Sequence, residues 1–196
     1  MAQKFDVCIR GDGMVGRTLA LLLARQRLRV GLVSHATQAT DHRKDDVRAY
    51  SLNSASRDLL SSLRCWPDAL HATPVQHMRV WGDDGGFAHF ESPTPEGLTW
   101  IVDVPTLEAQ LAEAVRYQAE ITRLDAPAPA ALTVVCEGRR SSTRDELGVN
   151  FEVLPYQQHA VAARVRGSIA HRQQALQWFA HHGKGLEILA LLPMGG

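Results

Sequence analysis

Residues Arg10-Gly-Asp-Gly-Met-Val-Gly16 stand between an alternating run, Phe5-Asp-Val-Cys-Ile9, and a stretch rich in helix formers, MVGRTLALLLARQR over 14–27. Phe5, Val7 and Ile9 alternate with Asp6, Cys8 and Arg10, the period of a strand, and the segment after the turn is dominated by Leu, Ala and Arg. Arg29-Val-Gly-Leu-Val33 then reads as a second short strand. The opening is therefore strand, glycine turn, helix, strand. Two functions compete for the turn itself. Arg10-Gly11-Asp12 would suit an adhesion loop in a secreted protein, whereas Gly11-x-Gly13-x-x-Gly16 suits a phosphate cradle.

Composition decides between them. The chain has 196 residues, 45% of them hydrophobic, enough for one sizeable core or a nucleotide-binding domain with a small second layer. Basic and acidic residues number 21 each, so no bulk field favours nucleic acid or an anionic membrane. The three cysteines, Cys8, Cys65 and Cys136, are widely spaced among apolar neighbours, the pattern of reduced, mostly buried thiols rather than a disulfide framework. MAQKFDVCIRGDG has no long apolar region and does not look like a signal peptide, and the longest apolar run, Leu19 to Ala24, is too short to span a bilayer. A cytoplasmic protein is expected, which disfavours adhesion.

The phosphate reading has a physical rationale. The first glycine allows the tight turn, the second lets backbone approach a pyrophosphate, and the third permits close helix–strand packing. The helix N-terminus presents unpaired N–H groups and a positive dipole end, so Gly11, Gly13, Met14, Val15 and Gly16 are the candidate cofactor-binding residues of the turn. An acid is expected at the end of the second strand to accept ribose hydrogen bonds; Ser34 stands there instead as the candidate cofactor-binding residue, its hydroxyl able to bond the ribose without a carboxylate's charge assistance, and Asp41, Asp45 or Asp46 would compensate only by an unusual loop path. Asp12 places a negative side chain near the phosphates unless it points away.

Farther on, Leu59, Leu60 and Leu63 share a helical face, with Asn53 or Ser54 as N-cap. The runs HMRVW, FAHFE and LTWIV, separated by turn signals at 82–86 and 93–97, predict an antiparallel excursion. A helix capped by Thr106 follows, then a buried-looking strand, LTVVCEG, a basic turn, RRSSTR, and strand-like runs around HAVAARV and EILALL. A short helix is expected over Gln173 to His181, and Trp81, Trp100 and Trp178 are expected in the core. There is no HExxH and no cysteine pair at zinc spacing, so none of the nine histidines is assigned to a metal; no serine stands in a G-x-S-x-G elbow either.

The succession RGDGMVGRTLALLLA, DVRAYSLNSASRDLLSSL, LTVVCEGRRSSTRDELG, PYQQHAVAARV and QALQWFAHHGKGLEILALLPM resembles, over essentially the whole chain, the FAD-dependent aromatic hydroxylases, above all the ubiquinone-biosynthesis hydroxylases of the para-hydroxybenzoate hydroxylase-like superfamily. The resemblance implies an α/β fold: a Rossmann-like FAD-binding layer from 1–72 and 100–148, and an antiparallel β substrate-side layer from 73–99 and 149–196. Gly11, Gly13 and Gly16 would line the FAD pyrophosphate, and Arg48 would reach toward the flavin or its phosphates. Glu137 and Gly138 would take the place of the family's Asp-Gly motif, with Ser142 and Arg144 matching residues downstream. Tyr156, Gln158 and His159 would lie on a strand of the substrate-side layer and could face an aromatic substrate, but an ordinary strand is the better account of them. In the family LALLPM is followed by a Gly-Asp motif and a helix that hold the flavin ring, so a shortened, N-terminal portion of such an enzyme is expected here, incomplete at its C-terminal side.

The implied cofactors are FAD, with NAD(P)H as reductant, and the implied reaction is insertion of one atom of O2 into an aromatic ring. The flavin carries the difficult chemistry, and no catalytic side chain is nominated. Expected partners are a small aromatic or quinone-precursor substrate, a peripheral contact with the inner membrane through a lipid-tailed substrate, and a second copy of the chain; nucleic acid is not expected. The alternative is a non-catalytic remnant that binds nucleotide weakly or pairs with another protein; a nicotinamide-only dehydrogenase is disfavoured by the long excursion after the second strand and the absence there of a ribose acid.

Overall fold

A computed structural model describes residues 5–34, 46–156, 158–182 and 185–195. The chain divides into two compact units, 1–46 with 108–161 and 47–107 with 162–196. Residues 47–72 and 100–107, grouped with the glycine turn by the motif reading, thus share a unit with 73–99. Asp41 and Asp45 lie outside the described residues.

The first unit is built on four parallel strands. β1 (Phe5–Arg10), β2 (Val30–Val33), β8 (Ile121–Leu124) and β9 (Ala130–Val135) pair in the order β8-β2-β1-β9. Helix α1 (Met14–Arg25) packs on the sheet through Gly16, Ala20, Leu21 and Ala24, the spacing of one helical face. Phe5, Val7, Cys8, Ile9, Val30, Leu32 and Val33 are buried, so β1 and β2 carry the near-continuous apolar run that a parallel strand needs when both faces are covered. The expectation that LTVVCEG is buried is not met: among the described residues β9 pairs on one side only, and Leu132 and Val135 are exposed.

The second unit holds two sheets. β3 (Ala49–Leu52), β7 (Thr99–Asp103) and β4 (Ala72–Val75) pair antiparallel around β7. β5 (His77–Trp81), β6 (Phe87–Glu91), β10 (Gln174–His182) and β11 (Gly185–Leu191) pair in the order β11-β10-β5-β6, with β10 parallel to β5 and the outer pairs antiparallel. Val75, Ile101 and Ala175 form a buried cluster, flanked by Ala49, Met78 and Met194. α2 (Ser54–Ser62) is capped as expected by Asn53, whose Oδ1 accepts from the Ser56 N–H at 2.9 Å; Leu60 is buried, whereas Leu59 is exposed.

Three expectations are corrected here. Residues 174–182 form strand β10, not a helix, because the ladder with β5 and β11 outweighs the helix-forming Gln, Ala and Leu. HAVAARV, which begins at His159, forms no strand: among the described residues it joins no ladder, and it is exposed, as are Tyr156 and Gln158. Helix α3 (Val104–Arg116) begins before Thr106, and Asp103 caps it, its Oδ1 accepting from the Thr106 N–H at 3.0 Å. Trp100 is buried, with Trp66 packed edge-on at 6.0 Å and the Arg57 guanidinium 4.6 Å above its ring. Trp81 and Trp178 stack on each other at 4.9 Å and are only half-buried. All three thiols are free, and burial pushes those of Cys65 and Cys136 above the usual range. Among the described residues no helix is long and apolar enough to cross a membrane.

Candidate dinucleotide site

The ends of β1, β2 and β9 meet at the glycine turn. Gly11 N–H donates to the Val33 carbonyl at 3.1 Å, and Cys136 N–H to the Arg10 carbonyl at 2.7 Å. The three motif glycines then differ in what holds them. Gly11 has φ +112°, and a Cβ there would lie 2.5 Å from the Cys136 carbonyl oxygen. At Gly16 a Cβ would lie 1.9 Å from the Gly11 carbonyl oxygen, so the helix can approach the turn only without a side chain. A Cβ on Gly13 would meet nothing within 4 Å. That open space lies at the N-cap of α1, where no side chain caps the helix and no acid occupies the first turn. By helix geometry the N–H groups of Met14, Val15 and Gly16 have no intrahelical acceptor.

Asp12 does not leave a bare charge beside those donors. Its Oδ2 accepts from Ser34 Oγ at 3.0 Å and from Arg17 at 3.4 Å, with Arg123 at 3.6 Å. Ser34 is fixed just beyond β2 by its own N–H, which donates to the Leu124 carbonyl at 2.9 Å. The structure therefore brings a carboxylate to the strand end where the sequence places only a hydroxyl. That was hidden because Asp12 is distant from Ser34 along the chain.

Glu137 is engaged quite differently. Its side chain is 4% exposed and accepts from Ser141 Oγ at 2.7 Å, Thr143 Oγ1 at 2.6 Å and Thr143 N–H at 3.0 Å. Arg10 lies 3.3 Å away and also bridges Glu146 through two hydrogen bonds of 2.9 and 3.2 Å. The carboxylate thus ties the end of β1 to a single 3-10 turn, Gly138–Arg140, and to the short helix α4 (Ser142–Glu146). A shallow pocket of about 390 Å³ opens beside it, with Val135, Leu147 and Val149 as apolar walls. Arg144, at its rim, stacks 3.8 Å above the Phe151 ring, and Ser142 opens α4. Gly138, at φ +70°, has open space above it. Arg48 belongs to the second unit, is exposed, and its carbonyl accepts from Val104 N–H at 3.2 Å and from Arg164 at 3.4 Å.

The donors present fit a pyrophosphate: an uncapped helix start, a glycine with room above it, and basic side chains at Arg17 and Arg123 beside the turn. Sequence reasoning missed the partners of Asp12 and Glu137. It also missed a group of ligand-type side chains, His77, His89 and Glu91, in the second unit.

No family model matches the chain. Ubiquinone hydroxylase UbiL of Rhodospirillum rubrum is 29% identical over 224 residues, covering 97% of this chain and 49% of the relative. The 3-demethoxyubiquinol 3-hydroxylase of Escherichia coli is 28% identical over 126 residues, 61% of this chain and 32% of that protein. The chain therefore spans from about a third to a half of the length of these relatives. Among solved structures, PqsL of Pseudomonas aeruginosa, described as a probable FAD-dependent monooxygenase, superposes with a TM-score of 0.62 at 20% identity, covering 79% of this chain and 48% of that one. The flavin-dependent monooxygenase PieE, solved with FAD and substrate, gives 0.56 at 18% identity, covering 77% and 33%. In sequence the chain resembles the ubiquinone-biosynthesis hydroxylases, and in fold the FAD-dependent monooxygenases.

Proposed function

We propose that this chain forms the dinucleotide-binding part of an FAD-dependent monooxygenase acting on a ubiquinone-precursor-like aromatic ring, with NAD(P)H as reductant and O2 as oxidant. The observation that carries the reading is the β1–turn–α1 geometry, in which the motif leaves an uncapped helix start facing open space over Gly13. The N–H groups of Met14, Val15 and Gly16 would hold the pyrophosphate. Asp12, oriented by Ser34, would accept from the adenosine ribose hydroxyls. Arg48 would add positive charge toward the cofactor, and Gly138 would leave room for it. Bound flavin supplies the redox chemistry; the protein's share is position, charge and exclusion of water. A cytoplasmic setting, with peripheral membrane contact through a lipid-tailed substrate, belongs to the same reading.

Flavin absorbance and FAD affinity of the purified chain test it. Stoichiometric FAD that is lost in Gly13→Val supports the proposal, and failure of a version extended to its relatives' length to bind FAD overturns it. One observation favours a second reading, a non-catalytic nucleotide-binding or protein-interaction relative. Glu137, at the place of the family's Asp-Gly motif, spends its carboxylate on internal partners. Flavin-free chain that still binds ADP would favour that reading.

A further inference from the structure

We propose that the β5–β6 hairpin carries a zinc site formed by His77, His89 and Glu91. His77 opens β5 and Glu91 closes β6, and the two are direct partners in the antiparallel ladder. His89, two residues before Glu91, emerges on the same face. One ligand atom from each of the three lies within 4.8 Å of the others, and the two imidazoles stack at 5.7 Å with an interplanar angle of 27°. Zinc takes nitrogen at about 2.0–2.1 Å and carboxylate oxygen at about 2.0–2.2 Å. Closing the set to those lengths needs side-chain rotation only, because His89 and Glu91 are exposed on an edge strand. Two imidazoles and one carboxylate suit a borderline divalent ion and leave a fourth position for water.

A second observation points the same way. His77 Nδ1 is buried and has no hydrogen-bond partner among the described residues, so nothing there fixes the ring's tautomer against the demands of a ligand. The side chains of His89 and Glu91 likewise form no hydrogen bond or ion pair with other described residues. His71 and His181, in contrast, are each paired with a carboxylate, Asp68 and Asp83. One neighbour opposes the ion: Arg79, across the ladder from His89, carries positive charge on the same face. Its charge lowers affinity without competing for the ligands.

Titration of the untagged, metal-stripped full chain with Co2+, followed by Zn2+ displacement, decides the matter. One equivalent of Co2+ should develop the intense visible absorption of a four-coordinate ion, and Zn2+ should abolish it. His89→Ala and Glu91→Gln should each weaken binding at least tenfold, and Arg79→Gln should tighten it severalfold. His181→Ala should leave the titration unchanged. The exposed positions of His89 and Glu91 keep those variants folded, which far-ultraviolet circular dichroism verifies. A titration that never saturates, or a spectrum that survives both His89→Ala and Glu91→Gln, overturns the proposal.

Discussion

Two turns follow strands of the same parallel sheet, and they handle hydrogen bonding in opposite ways. After β1, the turn at Gly11–Gly16 leaves its helix uncapped, so the donors at the start of α1 remain for something outside the chain. After β9, the turn at Glu137–Ser141 supplies its own anion: the Glu137 carboxylate takes up the hydroxyls of Ser141 and Thr143, the Thr143 N–H and the charge of Arg10. The first turn is poised for an external anion. The second is already neutralised. Proximity to a phosphate-binding motif therefore does not by itself make an acidic residue part of a cofactor site.

The largest expected effect breaks the first turn by its own packing. Gly16→Val forces a side chain into the Gly11 carbonyl and should destabilise the chain by about 3 kcal/mol or more, read as a lower urea midpoint or loss of soluble protein. Next, Glu137→Ala leaves the Ser141 and Thr143 hydroxyls and the Thr143 N–H without their buried acceptor, while Arg10 keeps Glu146, at a cost of about 3 kcal/mol. The comparison sharpens if the folded fraction of that variant keeps wild-type dinucleotide affinity, and it breaks if affinity falls in step with stability.

Gly13→Ala is the reverse case. A Cβ there touches nothing, so stability should fall by no more than the loss of a favoured N-cap residue, about 1 kcal/mol, while FAD or ADP affinity should drop at least tenfold, about 1.4 kcal/mol. Isothermal titration beside a urea melt separates the two readouts.

The smallest effect concerns Asp103, a carboxylate divided between an internal cap and an ion pair. Burial opposes its ionisation, but Arg164 at 2.8 Å and the Thr106 N–H together more than offset that, and its carboxyl sits below the usual range. The unfolded chain holds this proton at about pH 3.9. Stability from Asp103 is therefore fully present above that value and is lost as pH falls through it toward the lower folded value. The difference in urea midpoint between the wild type and Asp103→Asn should accordingly shrink below about pH 4, and a difference that grows on acidification would contradict the assignment.

Much of this was legible from local pattern. Phe5-Asp-Val-Cys-Ile9, the glycines and the Leu-rich helix carry their conformations in adjacent residues, as does the Asn53 cap of α2. What escaped was decided by distant partners. QALQWFAHH has helix-forming letters and becomes a strand only because β5 and β11 offer it a ladder. HAVAARV has the letters of a strand and finds no such partner among the described residues. The likeness to flavin hydroxylases marked Glu137 as a site position, but the donors that occupy it are set by how the next turn folds back. Asp12 and Ser34 meet only because β1 and β2 lie side by side.

The paired indoles of Trp81 and Trp178 have an optical consequence. They stand opposite each other where β5 meets β10, with ring planes 7° from parallel. Chromophores that close couple their electronic transitions, so the pair should contribute an exciton couplet to the ultraviolet circular dichroism that neither tryptophan gives alone. A one-residue slip of β10 would send Trp178 to the opposite face and extinguish it. The couplet is thus a spectroscopic gauge of strand alignment at the junction where local pattern misleads.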